Sequence, residues 1–301
     1  MLYNFIYIFL IVKFILFLCF LYLYISHYNS NYSKPIYHEK VNIKNLQHLS
    51  FDYFLKNFSD IPIFVAKSKS NSIDMDGDVK KLNLTEYYND IILKNNTDWY
   101  FKTEDEYDFL KLIGIKELVI NEFSKIFDKN ISNISRKQCS FWMGGKNSTT
   151  GWHTDIDDLS FLYVIQGKKK IQLIDPKYNA NMYEKRIYTD GARWSNIDFK
   201  NIDYNKYPMF KNVEITSYIL NEGDAVFIPS NWWHCVENLE DTIGITYKIY
   251  RTSYLYFTKL PEIIRKEEYK KKKYKIFNQL EIIKKILTKE EFEKYKQLFY
   301  S

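Results

Sequence analysis

Two short segments of this chain carry side chains that bind metal ions. Gly151-Trp152-His153-Thr154-Asp155 offers an imidazole and a carboxylate two positions apart. A later stretch, from Gly223-Asp224 through Pro229 to Trp232-Trp233-His234, offers a second imidazole. Two imidazoles and one carboxylate on one side of an ion make the facial ligand set of non-haem Fe(II), which leaves positions open for a co-substrate and O2. Three protein ligands with an open position also suit zinc, the second choice of metal. Each fragment alone says little. A lone histidine is most often a satisfied polar or surface residue, and Trp232-Trp233 alone reads as core.

The elements around these residues must bring them together. In a strand, residues i and i+2 point to the same face. His153 and Asp155 can therefore reach one ion from a single strand. His234 must come from another strand, and the Glu222-Gly223-Asp224 turn, the apolar run 225–228 and Pro229 place it there. From Ser140 onward the hydrophobic period is two. Ser140-Phe141-Trp142-Met143-Gly144 reads as a strand, residues 160–165 and 169–174 as a hairpin about Gly167, and 218–220, 225–229 and 243–250 as further strands. Residues 177–216 read as a long irregular excursion at the mouth of the fold. Short strands at this spacing predict an antiparallel sandwich or barrel.

Upstream, residues 51–58 have helical apolar spacing, 61–66 read as a short strand, 68–78 as a polar loop and 99–102 as an aromatic strand. Residues 105–127 read as one or two amphipathic helices, with Leu110, Leu112, Ile113, Leu118, Val119 and Phe123 as their core face. Residues 260–300 return to a helical pattern.

The 301 residues, 46% of them hydrophobic, allow one large domain or two small ones. The 27 Tyr and 22 Phe accompany heavy use of Asn, Lys and Ile, the signature of A- and T-rich codons. No single Lys or Tyr therefore counts as a signal. The net charge of +6 owes much to Lys270-Lys271-Lys272-Lys273. Such a run reads first as a solvated helix face and second as a nucleic-acid or lipid contact. Cys19, Cys139 and Cys235 make no disulfide framework.

Residues 5–25 are apolar apart from Lys13 and a few tyrosines, long enough to span a bilayer. The exit Tyr24-Ile25-Ser26-His27 lacks a small-residue cleavage pattern. Residues 1–27 are therefore expected to form an uncleaved single-pass membrane anchor, with 28–50 as a polar tether. Lys34, Lys40 and Lys44 after the span lean towards a cytosolic catalytic part. Sequons such as Asn57, Asn83 and Asn147 would suit a lumenal one, but an Asn-rich chain produces them by chance.

Residues 140–250 resemble the JmjC-type cupin-like family of Fe(II)/2-oxoglutarate dioxygenases, nearest to the subgroup of the asparaginyl hydroxylase factor-inhibiting HIF. The matching text is Ser140 to Gly144, Thr150 to Asp155, Gly167-Lys168-Lys169-Lys170 and Gly223 to His234. Fainter similarity begins near Phe51 and includes 61–66 and Trp99-Tyr100-Phe101. The resemblance implies a mainly β double-stranded β-helix (cupin or jelly roll) over residues 51–256, with helices before it and a helical region over 257–301. It implies iron on His153, Asp155 and His234, and a lysine just after the hairpin glycine that holds the distal carboxylate of 2-oxoglutarate. Alternation puts Lys169 with Ile171 and Leu173 on the inward face, and Lys168, Lys170 and Gln172 outside, so Lys169 is chosen. The alternative is three solvated turn lysines. Thr150 and Tyr100 match positions whose hydroxyls help to hold the co-substrate.

Two departures from the family pattern stand out. The segment from Asp155 to Gly167 is one residue longer, which puts Ser160 where the family often has asparagine. Lys248 stands near a position that often carries asparagine or an aromatic, and either contacts the co-substrate or faces solvent. The expected activity is hydroxylation with Fe(II), 2-oxoglutarate and O2. A protein side chain is the expected substrate and an RNA base the alternative. A non-catalytic cupin-like binding module is the reading from another class. The C-terminal helices either dimerise or form a monomeric cap.

Overall fold

Alternating residues buried on both sides mark strands that lie inside a sheet covered on each face. β7 (Leu159–Gln166) is the clearest case. Its Leu159, Phe161, Tyr163 and Ile165 join one core, and its Leu162 and Val164 another. The computed structural model describes residues 34–69, 72–103, 109–126, 135–155, 159–185 and 193–251.

The first half of the chain supplies β1 (Ile36–His38), α1 (Phe51–Phe58), β2 (Pro62–Lys69), β3 (Ser72–Asn83), α2 (Leu84–Tyr87), β4 (Trp99–Thr103), α3 (Phe109–Leu112) and α4 (Lys116–Ser124). The second half adds β5 (Ser135–Gly144), β6 (Thr149–Thr154), β7, β8 (Lys169–Ile174), β9 (Arg193–Trp194), β10 (Thr216–Leu220), β11 (Ala225–Pro229), β12 (Trp233–Asn238) and β13 (Thr242–Arg251). An eight-stranded sheet runs β1-β11-β7-β13-β5-β4-β2-β3, and a five-stranded sheet runs β10-β8-β12-β6-β9. Leu162, Val164, Val226 and Ile228 of the larger sheet pack on Ile171, Leu173 and Leu220 of the smaller one. The two antiparallel sheets thus face each other as a jelly roll.

The outer face of the larger sheet is covered by the helices. Ser50 caps α1 by accepting the Tyr53 N–H, and one turn on, Phe54 meets Phe141 at 5.2 Å between ring centroids. Phe109 of α3 adds a second ring against Phe141 at 5.1 Å, and Phe123 of α4 stacks on Tyr247 at 5.3 Å. Each such pair contributes about 0.5–1.5 kcal/mol beyond area burial. Gly114, with φ +75, separates α3 from α4. Of the expected helical core, Leu110, Val119 and Phe123 are buried, and Leu112, Ile113 and Leu118 pack partly buried beside them.

Two expectations are corrected. Residues 68–78, read as a polar loop, lie mostly in β2 and β3, which pair antiparallel. β3 is an edge strand, where backbone pairing needs no apolar sequence. Within the stretch read as a tether, β1 pairs with β11, and Ile43, Leu46 and Leu49 are buried. Asp224 pins this stretch, accepting from the Tyr37 hydroxyl at 2.8 Å and the Lys40 N–H at 2.9 Å. The anchor expected over 1–27 and the helical region expected over 257–301 lie outside the described residues. Among the described residues, no helix is long and apolar enough to cross a membrane.

Candidate metal centre

The candidate ligands come from neighbouring strands of the smaller sheet. β6 carries His153 and runs into Asp155, and β12 carries His234. In their ladder His153 faces His234, while Thr150 faces Val236. β6 therefore advances three residues where β12 advances two, which is a β-bulge. Because of it, Thr150 and His153 both line the cavity between the sheets. Simple alternation would send them to opposite faces.

Each imidazole is oriented by its own backbone. His153 Nδ1 lies 2.8 Å from the Gly151 carbonyl, and His234 Nδ1 lies 3.1 Å from the Trp232 carbonyl. A carbonyl only accepts, so each Nδ1 carries the proton and each Nε2 keeps its lone pair. His153 Nε2 is 3.7 Å from Asp155 Oδ1, and His234 Nε2 is 3.7 Å from Asp155 Oδ2. The three donor atoms lie within 4.8 Å of one another. Trp194 stacks on the His153 ring at 4.6 Å and closes its outer side.

The charges suit a cation. Burial, helped by the adjacent His234, pushes His153 down to about 3, and burial lowers His234 as well. Both rings are neutral at pH 7 and available as ligands. Burial opposes ionisation of Asp155, but Lys248 above all, with the Ser160 hydroxyl, outweighs it and holds the carboxylate below its usual range. Lys248 Nζ lies 3.6 Å from Asp155 Oδ1, and Ser160 donates to Oδ2 at 2.9 Å. Lys248 is buried and faces the cavity, not solvent. Two neutral nitrogens, one carboxylate and an open side fit Fe(II) or zinc.

The cavity has an empty volume of about 410 Å³ counting its open mouth, and Tyr100, Trp142, Leu162, Ile228, Val236 and Thr246 complete its walls. Lys169 lies behind the Tyr100 wall. In the β8–β12 ladder Leu173 faces His234 and Lys169 faces Asn238, so Lys169 sits about 13 Å of strand below the metal ligands. Lys169 is 1% exposed, and its ammonium donates to Asn238 Oδ1 at 2.7 Å, Thr242 Oγ1 at 3.0 Å and the Tyr100 hydroxyl at 3.2 Å. Among the described residues no carboxylate pairs with it. Burial pushes it down to about 7. Lys168 instead points outward, to Glu240 at 3.2 Å. Gly144 makes room for this arrangement: a Cβ there would lie 2.1 Å from the Tyr100 ring and 2.8 Å from Asn238 Nδ2.

The structure thus gathers His153, Asp155, His234, Thr150, Tyr100 and Lys248 around one cavity, with Lys169 behind it. Three further residues escape a reading of the sequence. Asn238 continues the alternation of His234 and Val236, and that signal points it inward. Thr242 and Trp194 carry no local signal, since Trp194 sits in a two-residue strand within the irregular excursion.

Facing antiparallel sheets with a His–Asp–His donor set between them define a cupin-type metal-site domain. Residues 27–253 match the family described as the cupin-like domain, and the chain belongs to that family. It is 34% identical over 139 residues to JmjC domain-containing protein C of Dictyostelium discoideum, covering 44% of this chain and 32% of that protein. JmjC domain-containing protein A of the same organism is 27% identical over 236 residues, 74% of this chain and 90% of its own length. Lysine-specific demethylase JMJ31 of Arabidopsis thaliana is 32% identical over 124 residues, 40% of this chain and 21% of its own. The chain therefore spans a third or less of protein C and of JMJ31. Family and donor set together are consistent with an Fe(II)/2-oxoglutarate-type oxygenase or demethylase.

Proposed function

We propose that this chain is an Fe(II)- and 2-oxoglutarate-dependent dioxygenase that hydroxylates a protein side chain. One observation carries the reading. A cavity holds the His153, Asp155 and His234 donor set, and behind its Tyr100 wall lies a buried ammonium, Lys169, without a carboxylate among the described residues. An isolated buried charge is expensive unless an anion completes it. A dicarboxylate that chelates the metal at one end and meets Lys169 at the other satisfies both.

In this reading His153 Nε2, His234 Nε2 and an Asp155 oxygen hold iron. Bound iron supplies the redox chemistry with O2 that side chains lack. Lys169, Tyr100 and Thr150 hold the distal carboxylate, and Lys248 faces the end nearest the metal. Leu162, Ile228 and Val236 form an apolar wall that excludes water. The reaction balances as 2-oxoglutarate plus O2 plus R–H giving succinate, CO2 and R–OH.

The resemblance to the asparaginyl hydroxylase subgroup supports a protein substrate. So does the name lysine-specific demethylase on one relative, since loss of an N-methyl group begins with its hydroxylation. An RNA base is the second reading. Lys102 lies over the Trp142 ring at 4.9 Å, and a cation on an aromatic face at the cavity suits a stacked base and its phosphate. A non-catalytic binding module is disfavoured because all three donors are present. The apolar run over residues 5–25 supports a single-pass membrane anchor over 1–27, the lysines after it lean towards a cytosolic site, and the sequence pattern supports a helical region over 257–301 that either dimerises or caps the domain as a monomer.

Incubating the full chain with Fe(II), 2-oxoglutarate and O2 tests the reading. Succinate should form, and Asp155→Ala should abolish it. Equal succinate from the variant would overturn the assignment.

A further inference from the structure

The cradle around Lys169 is built from uncharged oxygens, and one of them cannot be turned away. Asn238 is 1% exposed. Its Nδ2 donates to Ser148 Oγ at 2.8 Å and to the Gly145 carbonyl at 3.3 Å, while its Oδ1 accepts from Lys169 at 2.7 Å. Flipping the amide would set its NH2 against an ammonium and its oxygen against a carbonyl, two repulsive contacts. The backbone is held too: Asn238 N–H donates to the Ser148 carbonyl at 2.9 Å, and Asn147 N–H donates to the Asn238 carbonyl at 2.7 Å. Position and polarity of the side-chain oxygen are thus fixed from both ends.

The three partners of the lysine are not equivalent. Tyr100 lines the cavity, whereas Asn238 and Thr242 stand behind the ammonium. An ammonium has three protons, all of them occupied here. A carboxylate arriving through the cavity replaces the contact with Tyr100, the longest at 3.2 Å, and leaves the two rear contacts in place.

We propose that Asn238 is the positioning residue of the dicarboxylate site: it grips Lys169 from behind with a neutral oxygen and so reserves the lysine's charge for a carboxylate entering from the cavity. This rests on the co-substrate reading above. An aspartate in the same place would reach the lysine equally well but would satisfy its charge internally. It would also turn a second anionic oxygen towards the Gly145 carbonyl.

The test uses the full chain loaded with Zn(II), which is redox-inert, so the readout is binding and not turnover. Calorimetric titration compares 2-oxoglutarate with 2-oxopentanoate, which has the same chelating head but no distal carboxylate. The unsubstituted protein should prefer the dicarboxylate by about tenfold or more, the worth of a charge-assisted contact. Asn238→Asp should abolish that preference while leaving Zn(II) content unchanged and 2-oxopentanoate affinity within about threefold. If Asn238→Asp fails to retain Zn(II), Asn238→Ser decides: it keeps the site neutral but shortens the reach, and should weaken the dicarboxylate selectively. A preference that survives the deciding variant, or a loss that strikes both ligands alike, overturns the proposal alone. Absence of any preference in the unsubstituted protein overturns the proposal and the co-substrate reading together.

Discussion

His153 and His234 are Cα partners across the β6–β12 ladder, and their ring centroids stand 4.1 Å apart. The pair is set by backbone register and not by loops, so removing one ring leaves the strands in place. His234→Ala is expected to keep its fold but to lose metal affinity by more than the roughly 10–100-fold typical of outer-shell changes. Metal content after dialysis, read beside the thermal melt, checks this. A stoichiometrically loaded variant would contradict it.

The buried Lys169 gives the site a pH signature. In the ligand-free protein burial lowers its pKa from 10.5 to about 7. Only the charged form attracts a carboxylate, so dicarboxylate affinity should be full below pH 7 and fall by up to about tenfold per unit above it. Lys169→Met should bind weakly with no such slope. The stability effect runs the other way. The folded-state pKa is the lower one, so between pH 7 and 10.5 the unfolded chain holds more protons, and ligand-free stability rises with pH across that window. Urea titrations of both proteins at several pH values would show the difference.

Lys248 stands 3.6 Å from Asp155 Oδ1, a cation beside the carboxylate that ligates the metal. Lys248→Met should therefore strengthen divalent-metal binding several-fold, by removing like-charge repulsion, and weaken 2-oxoglutarate binding. Opposite signs in two titrations are the expected outcome. A variant that weakens both, or neither, would assign Lys248 a packing role.

Gly144→Ala should act through Tyr100. The added methyl meets the ring at 2.1 Å, so Tyr100 or β5 must shift. Overpacking of this kind costs about 1–3 kcal/mol. The unfolding free energy read from denaturant titration should fall by that amount, and dicarboxylate affinity should fall more than metal affinity, because Tyr100 adjoins Lys169 and not the donor set.

The triad is legible in the sequence because strand alternation pairs His153 with Asp155, and the Gly223-Asp224 turn and Pro229 frame His234. Lys169 is legible for the same reason, its neighbours Ile171 and Leu173 being inward and apolar. Thr150 is not legible by alternation, since its direction depends on the bulge in β6. The inward direction of Asn238 can be read, but its hold on Lys169 depends on their pairing across β8 and β12, a tertiary fact. Lys248 is similar: it reaches Asp155 because β13 sets it opposite Ser160 on β7. The polar strand β3 escapes because edge pairing leaves no apolar pattern behind.

The central claim is that the His153, Asp155 and His234 site couples O2 to 2-oxoglutarate. The most direct measurement supplies the full chain with Fe(II), 2-oxoglutarate and oxygen-18 gas, and weighs the succinate formed. Succinate carrying one heavy oxygen, absent from His153→Ala, is the predicted result. Unlabelled succinate, or the same labelled yield from His153→Ala, would contradict it.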